Sequence, residues 1–327
     1  MDNFFNENNF KIWSKIGSRA TFGLAALQLA KINENLIVVT SDVSTSAGLD
    51  RFRKSFTDKY IDVGIAEQNL IGVATGLASE GYDVITTTFA PFQTLRCCEQ
   101  IKVNLSYMKQ KVVMVGLASG LVLGTLGYTH CSIEDVGVLR SLPNITIISP
   151  ADPTEVVKAV FASINHNESV YIRLTGGSNC PQIYKKNYDF EIGKAISLKD
   201  GRDILIIACG AMVKTALDTA DRLEENGISS QVLNMHTIKP LDKNSINKAI
   251  KDKKLIATIE EHNVIGGLGS AISEVLSENG DAPKKISFGI NDKYSRGGSY
   301  SYLKKNFGID VDTVTKKIIS HLNYGRI

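Results

Sequence analysis

No uninterrupted apolar run in this 327-residue chain approaches the ~20 residues that a membrane-spanning helix requires. No basic stretch leading into an apolar core stands at the start, so no signal peptide is expected. Cysteine is sparse and odd in number. Cys97 and Cys98 are adjacent, Cys131, Cys180 and Cys209 are scattered, and no CxxC pair or Cys/His zinc spacing occurs. This argues against a disulfide framework. Charge of one sign is also lacking. Lys plus Arg number 37 against 34 Asp plus Glu, a net charge of +3. That is no electrostatic footprint for nucleic acid or an anionic membrane. A Walker sequence, a G-x-S-x-G elbow and a dense Asp/His cluster for a metal are missing as well. The segment GGLG (266–269) is too short for a dinucleotide fingerprint. At 43% hydrophobic and 22% charged residues, the composition is that of an ordinary folded protein. The expectation is a soluble cytoplasmic globular protein with a large core.

What is present is an alternation of short apolar runs and helical segments. Residues 37–41 (IVVTS), 84–88 (VITTT), 112–117 (VVMVGL), 146–149 (TIIS) and 170–174 (VYIRL) read as buried strands. Residues 19–32, 67–79 and 155–164 read as helices between them. This is the pattern of a parallel sheet covered on both faces. A polar stretch at 181–194 precedes a second block of the same kind. It has strands at 203–209, 229–234 and 254–260 and helices at 213–226 and 270–277. The fold class is therefore α/β, two doubly wound domains with mainly parallel sheets, over 10–188 and 189–327. The first ~12 residues, rich in Asn, are expected to be mobile.

Three segments of the first block carry possible chemistry. In YIDVGIAEQN (60–69), Glu67 stands where a loop gives way to an apolar helix. It reads either as a first-turn carboxylate favoured by the helix dipole or as a buried acid that shares a proton with a heterocycle. In TTTFAPFQTLR (86–96), Phe89 and Phe92 follow a strand at spacing i, i+3. They suit core packing or a wall for a planar ring, where stacking adds about 0.5–1.5 kcal/mol. In SGLVLGTLGYTH (119–130), three glycines precede His130 at the carboxyl end of a strand, where α/β sites collect. His236 and His262 in the second block read as structural.

Taken together, these segments resemble transketolase. DVGIAEQN (62–69) looks like the signature carrying the family's catalytic glutamate. TTF-AP-F is similar to the aromatic segment around the thiamine pyrimidine. GYTH (127–130) resembles the Gly-Pro-Thr-His motif, with Tyr128 in place of proline. LRSLPNITIISPADPTE (139–155) and TIEEHNVIGGLGSAISE (258–274) are similar to segments of the pyrimidine-binding and C-terminal domains. The resemblance implies that Glu67 hydrogen-bonds the pyrimidine N1′ of thiamine diphosphate and promotes its imino form. It implies further that Phe89 and Phe92 pack the ring and that Ile65 and Asp42 lie beside the cofactor. His130 would contact a substrate oxygen, and Arg19 and Ser46 the sugar phosphate.

The chain departs from the family in two ways. The family's diphosphate and metal motif is not found. The resemblance is thus to the second subunit of a split transketolase, with Mg²⁺ or Ca²⁺ and the diphosphate held mainly by an N-terminal partner subunit. A dimer of such heterodimers is expected. In the substrate pocket, Leu126, Ala118 and Gly176 fall where the family has aspartate, histidine and arginine; Arg173, close by, is expected to stand in for the last. Loss of polar readers changes discrimination strongly, so the substrate is expected to be a modified or nucleotide-linked sugar. The alternatives are the β subunit of a 2-oxo acid dehydrogenase, a deoxyxylulose-phosphate-synthase-like enzyme, a non-catalytic regulatory subunit, and a stand-alone binding protein for thiamine compounds.

Overall fold

The β-branched runs become the middle strands of two sheets. The structure, a computed structural model, describes residues 4–324; the last three positions of the expected second domain lie outside the described residues. The strands are β1 (Leu36–Thr40), β2 (Tyr60–Asp62), β3 (Asp83–Phe89), β4 (Val112–Leu117), β5 (Ile145–Ile148), β6 (Ser169–Arg173), β7 (Ile196–Lys199), β8 (Ile204–Ala208), β9 (Ser230–Asn234), β10 (Thr237–Lys239), β11 (Leu255–Asn263) and β12 (Lys285–Ile290). The first sheet has the order β10-β5-β6-β4-β3-β1-β2 and the second β12-β11-β8-β9-β7. All pairs are parallel except β10 with β5 and β7 with β9. The chain is thus α/β with two mainly parallel sheets.

The register sets the site. Thr40 pairs Asp62 and Thr87, and Phe89 pairs Leu117. The carboxyl ends of β1 to β4 therefore share one edge, and the loops leaving it hold Asp42, Glu67, Phe92 and His130. Open α/β sheets place ligands at this edge.

The amino-terminal segment differs from the expectation of mobility. Residues Glu7–Ile16 form a helix capped by Asn6, whose side chain accepts from the Asn9 amide at 2.9 Å. Phe10 and Trp13 are buried. Trp13 packs against Phe4 and Phe10 at centroid distances of 5.1 and 5.5 Å. Asparagine here is a cap, and the aromatic residues supply the burial that holds the segment down. β11 also runs three residues past the expected end at 260, because Glu261 and His262 remain buried.

Candidate active site

The loops after β1 and β2 are tied together before they reach Glu67. One oxygen of Asp62 accepts the amides of Asp42 (3.0 Å) and Gly64 (2.9 Å). Partial burial raises the Asp62 carboxyl, but these amides and nearby hydroxyls outweigh it and hold the group below the usual carboxylate range. Ser41 donates to the Gly64 carbonyl at 2.6 Å and accepts from the Ala66 amide at 3.2 Å. Gly64 has φ +72, which lets the chain turn sharply into the helix Glu67–Ser79. Glu67 is its first residue and only 5% exposed. Its Oε1 accepts from Arg96 Nη1 at 2.7 Å. Glu67 is therefore a first-turn carboxylate, and it is also buried.

The aromatic segment follows directly. Phe89 ends β3, and Pro91 sits in the first turn of the short helix Ala90–Gln93, where its missing N–H costs nothing. The rings of Phe89 and Phe92 meet edge-on at 6.2 Å. His130 approaches Phe92 at 5.4 Å and Phe89 at 6.1 Å. The Arg96 guanidinium lies 4.0 Å from the Phe92 ring centre. One contiguous cluster thus joins Glu67, Arg96, Phe92, Phe89 and His130. Sequence reasoning missed Arg96. The only signal was a cation closing the segment TTTFAPFQTLR.

His130 is half-buried, with Nδ1 3.0 Å from the Thr129 hydroxyl. Ile65 is 78% exposed beside Glu67 in sequence, and Asp42 is exposed in the loop after β1. The same loop carries Ser46. Arg19 and Ser46 line a pocket of about 300 Å³ with Thr45, Gly177 and Ser178, and Arg19 Nη1 lies 3.5 Å from the Ser46 carbonyl. A larger cleft, about 620 Å³, is lined by Phe5, Lys158, Phe161 and Tyr188 and by no candidate residue. That cleft has carboxylates and rings of its own, Glu34 and Asp189 with Phe5, Phe161 and Tyr188, but it lies at the amino ends of β1 and β6, away from the edge that carries Glu67.

Arg173 does not join the site. It is 2% exposed, with Nε 2.8 Å from Asp135 Oδ2 and Nη2 bonded to the carbonyls of Ser132 (3.0 Å) and Glu261 (2.8 Å). Its guanidinium is consumed by the contact between the two halves of the chain, so the expectation that it reads substrate does not fit. Of the three departures, Leu126 is exposed on the His130 loop, Ala118 is buried at φ +50, and Gly176 turns at φ +86. His236 and His262 are buried. His236 stacks on Phe190 at 4.3 Å, and burial pushes it down to about 4.

The cluster has the chemistry for a flat, weakly basic heterocycle: an acid at one edge and ring faces beside it. Among the described residues, no group of three or more His, Cys, Asp or Glu side chains is placed to hold a metal ion.

Comparison with known proteins covers both halves of the chain. Residues 14–180 match the transketolase pyrimidine-binding domain and residues 193–314 the transketolase C-terminal domain. The chain is 38% identical to one subunit of an apulose-4-phosphate transketolase of Actinobacillus succinogenes, over 90% of this chain and 94% of that protein. It is 35% identical to a 6-deoxy-6-sulfo-D-fructose transketolase subunit of a Clostridium species, over 91% and 92%. A solved split-gene transketolase, described as an inactive beta4 tetramer, superposes with a TM-score of 0.85 at 33% identity, over 94% of this chain and 98% of that one. With both family domains matched in order and relatives of the same span that include single transketolase subunits, the chain belongs to the transketolase family.

Proposed function

We propose that the chain, divided near residues 188/189, is the second subunit of a thiamine-diphosphate-dependent transketolase. It would move a two-carbon ketol unit from a ketose to an aldose. The observation that carries this is the buried Glu67 carboxylate beside Phe89, Phe92 and His130 at the carboxyl edge of the first sheet. When bound, thiamine diphosphate supplies the electron sink for carbon–carbon cleavage. The chain's own residues orient it. Glu67 shares a proton with the ring nitrogen, with Arg96 fixing the carboxylate. Phe89 and Phe92 cover the ring and exclude water, and Ile65 and Asp42 flank it. His130 holds a substrate oxygen, and Arg19 and Ser46 take the anionic end of the sugar.

The diphosphate and Mg²⁺ (or Ca²⁺) fall to an N-terminal partner subunit. Exposed Ile65, Leu95 and Leu126 sit on the segments that carry Glu67, Arg96 and His130, and they suit a surface that a partner covers. The beta4 tetramer described for the solved relative supports self-association of this chain and inactivity without the partner. The apolar replacements Leu126 and Ala118, and relatives named for apulose 4-phosphate and sulfofructose, support a modified sugar substrate.

Calorimetry tests the division of the site. Thiamine diphosphate with Mg²⁺ binds tightly to the mixture of subunits and not to this chain alone; tight metal-dependent binding by the lone chain overturns the proposal. In the assembled pair, Glu67→Gln lowers kcat by about 10²–10⁴-fold, the usual contribution of a positioned proton donor. Full activity would remove Glu67 from the catalytic role. Efficient turnover of xylulose 5-phosphate with ribose 5-phosphate would sink the modified-sugar assignment.

A further inference from the structure

We propose that the loop carrying His130 is held in its working position by the C-terminal half of the chain, with Tyr128 and Ser295 as positioning residues for His130. This rests on the placement of His130 in the site proposed above.

The loop leaves β4 and closes on itself. Gly120 and Ser132 exchange backbone hydrogen bonds of 2.8 and 3.1 Å. Between these two points it carries no strand, and its tip would be free if nothing held it. Three contacts from beyond residue 255 hold it. At the base, the buried Glu261 carboxylate of β11 accepts the Leu121 amide at 2.6 Å, and its other oxygen accepts from the Tyr300 hydroxyl. A Cβ on Gly120 would lie 2.2 Å from that carboxylate, so only glycine allows the approach. Along the flank, the Gly298 amide donates to the Gly124 carbonyl at 3.0 Å. At the tip, Tyr128 packs on Tyr294 at 4.7 Å. Its hydroxyl lies 2.9 Å from Ser295 Oγ and accepts the Ser295 amide at 3.2 Å.

Tyr128 is two residues from His130. The imidazole itself has a bond to its neighbour Thr129 and edge contacts with Phe89 and Phe92. The His130 amide closes a turn on the Gly127 carbonyl at 3.1 Å, a bond that lies within the loop and does not tie it to the rest of the chain. A proline at position 128 would fix φ by its ring. Tyrosine does not, and the bonds to Ser295 supply the missing restraint from the other half of the chain. A catalytic imidazole needs such restraint, because small displacements from the productive geometry are costly in rate.

The test uses hydrogen–deuterium exchange on the full chain and steady-state kinetics on the two-subunit complex. Ser295→Ala raises exchange over residues 119–132 by about 3–10-fold, the loss of one neutral hydrogen bond, and Tyr128→Phe, which also loses the bond from the Ser295 amide, raises it at least as much. The helix Glu67–Ser79 is unchanged. The double substitution adds little to Tyr128→Phe, because the Oγ bond that Ser295→Ala removes is already gone in that variant. In the complex each lowers kcat several-fold with little change in the donor KM, a split that a merely structural role would not produce. Unchanged exchange in both variants, or fully additive effects, overturns the proposal. Failure of the functional reading is separate. If the wild-type complex transfers no ketol unit while the exchange effects appear, the reaction assignment fails and the hold on the loop stands. If His130→Ala abolishes activity but neither Tyr128→Phe nor Ser295→Ala alters exchange or kcat, the reaction stands and the hold fails.

Discussion

Arg96 reaches Glu67 from 29 positions further along the chain and lies over Phe92 on the way. A carboxylate as buried as Glu67 needs such a partner, because a charge removed from water is costly unless paired. The other end of the pair is half open to solvent, so its value to overall stability is small. Its value to the site is larger, since it fixes which way the carboxylate faces. Arg96→Met keeps an apolar arm over Phe92 and removes the charge. In the assembled complex it is expected to lower kcat about tenfold or more, in line with the loss of a hydrogen bond to a charged group. The urea midpoint should fall as well, because the change leaves the buried Glu67 carboxylate without its partner. An unchanged kcat would reduce Arg96 to a surface residue. The neighbouring Cys97 illustrates the same local field. Burial, aided by the Glu67 charge, pushes its thiol up to about 12. Cys97 is therefore expected to resist alkylation at pH 8 in the native protein, and rapid labelling would show that the segment opens.

The middle strands were legible because they are buried on both faces and read as unbroken apolar runs. β7, β10 and β12 were not. β7 and β10 are short strands at sheet edges, paired antiparallel to β9 and β5. Such pairings depend on what the rest of the chain has built and leave little periodicity of their own. In the site, Glu67, Phe89, Phe92 and His130 could be read because each follows a strand whose carboxyl end shares one edge. Arg96 and the tertiary partners of Tyr128 could not, since nothing local marks a contact spanning 29 or 167 positions. Arg173 misled for the converse reason: a guanidinium close to a site in sequence pointed into the contact with Asp135. The helix Glu7–Ile16 also looked unlike structure from composition, yet its stability rests on aromatic burial. Trp13→Ala is expected to cost about 3–5 kcal/mol in urea unfolding, the range for an emptied large core position. A loss below about 1 kcal/mol would mean the helix is dispensable to the fold.

At the scale of the whole molecule, a buried carboxyl beside the contact between the two halves responds to pH. Asp152 caps the helix Pro153–Ile164, and its second oxygen accepts the amides of Ile183 and Tyr184 at 2.8 and 2.9 Å in the connecting segment. Burial pushes its carboxyl up to about 7, against the pull of those amides. Burial also raises Glu155 beside it, which bonds Asn234 of β9 at 2.9 Å. A raised carboxyl in the folded state holds a proton that the unfolded chain has lost. Its contribution is therefore full below about pH 4 and is lost as pH rises through about 7. The urea stability of the native chain relative to Asp152→Asn should shrink across that window. A difference that grows with pH would refute the assignment.

β10 carries a last consequence. The exposed side of β5 is completed by residues 237–239, which the ribosome makes long after Ile145–Ile148 has emerged. At ~5–20 residues per second the delay is on the order of ten seconds. Throughout it, the nascent first half offers an apolar, unpaired β margin of the kind that recruits other chains. Clustered polysomes would bring such margins side by side, making translation speed between residues 148 and 239 a determinant of yield.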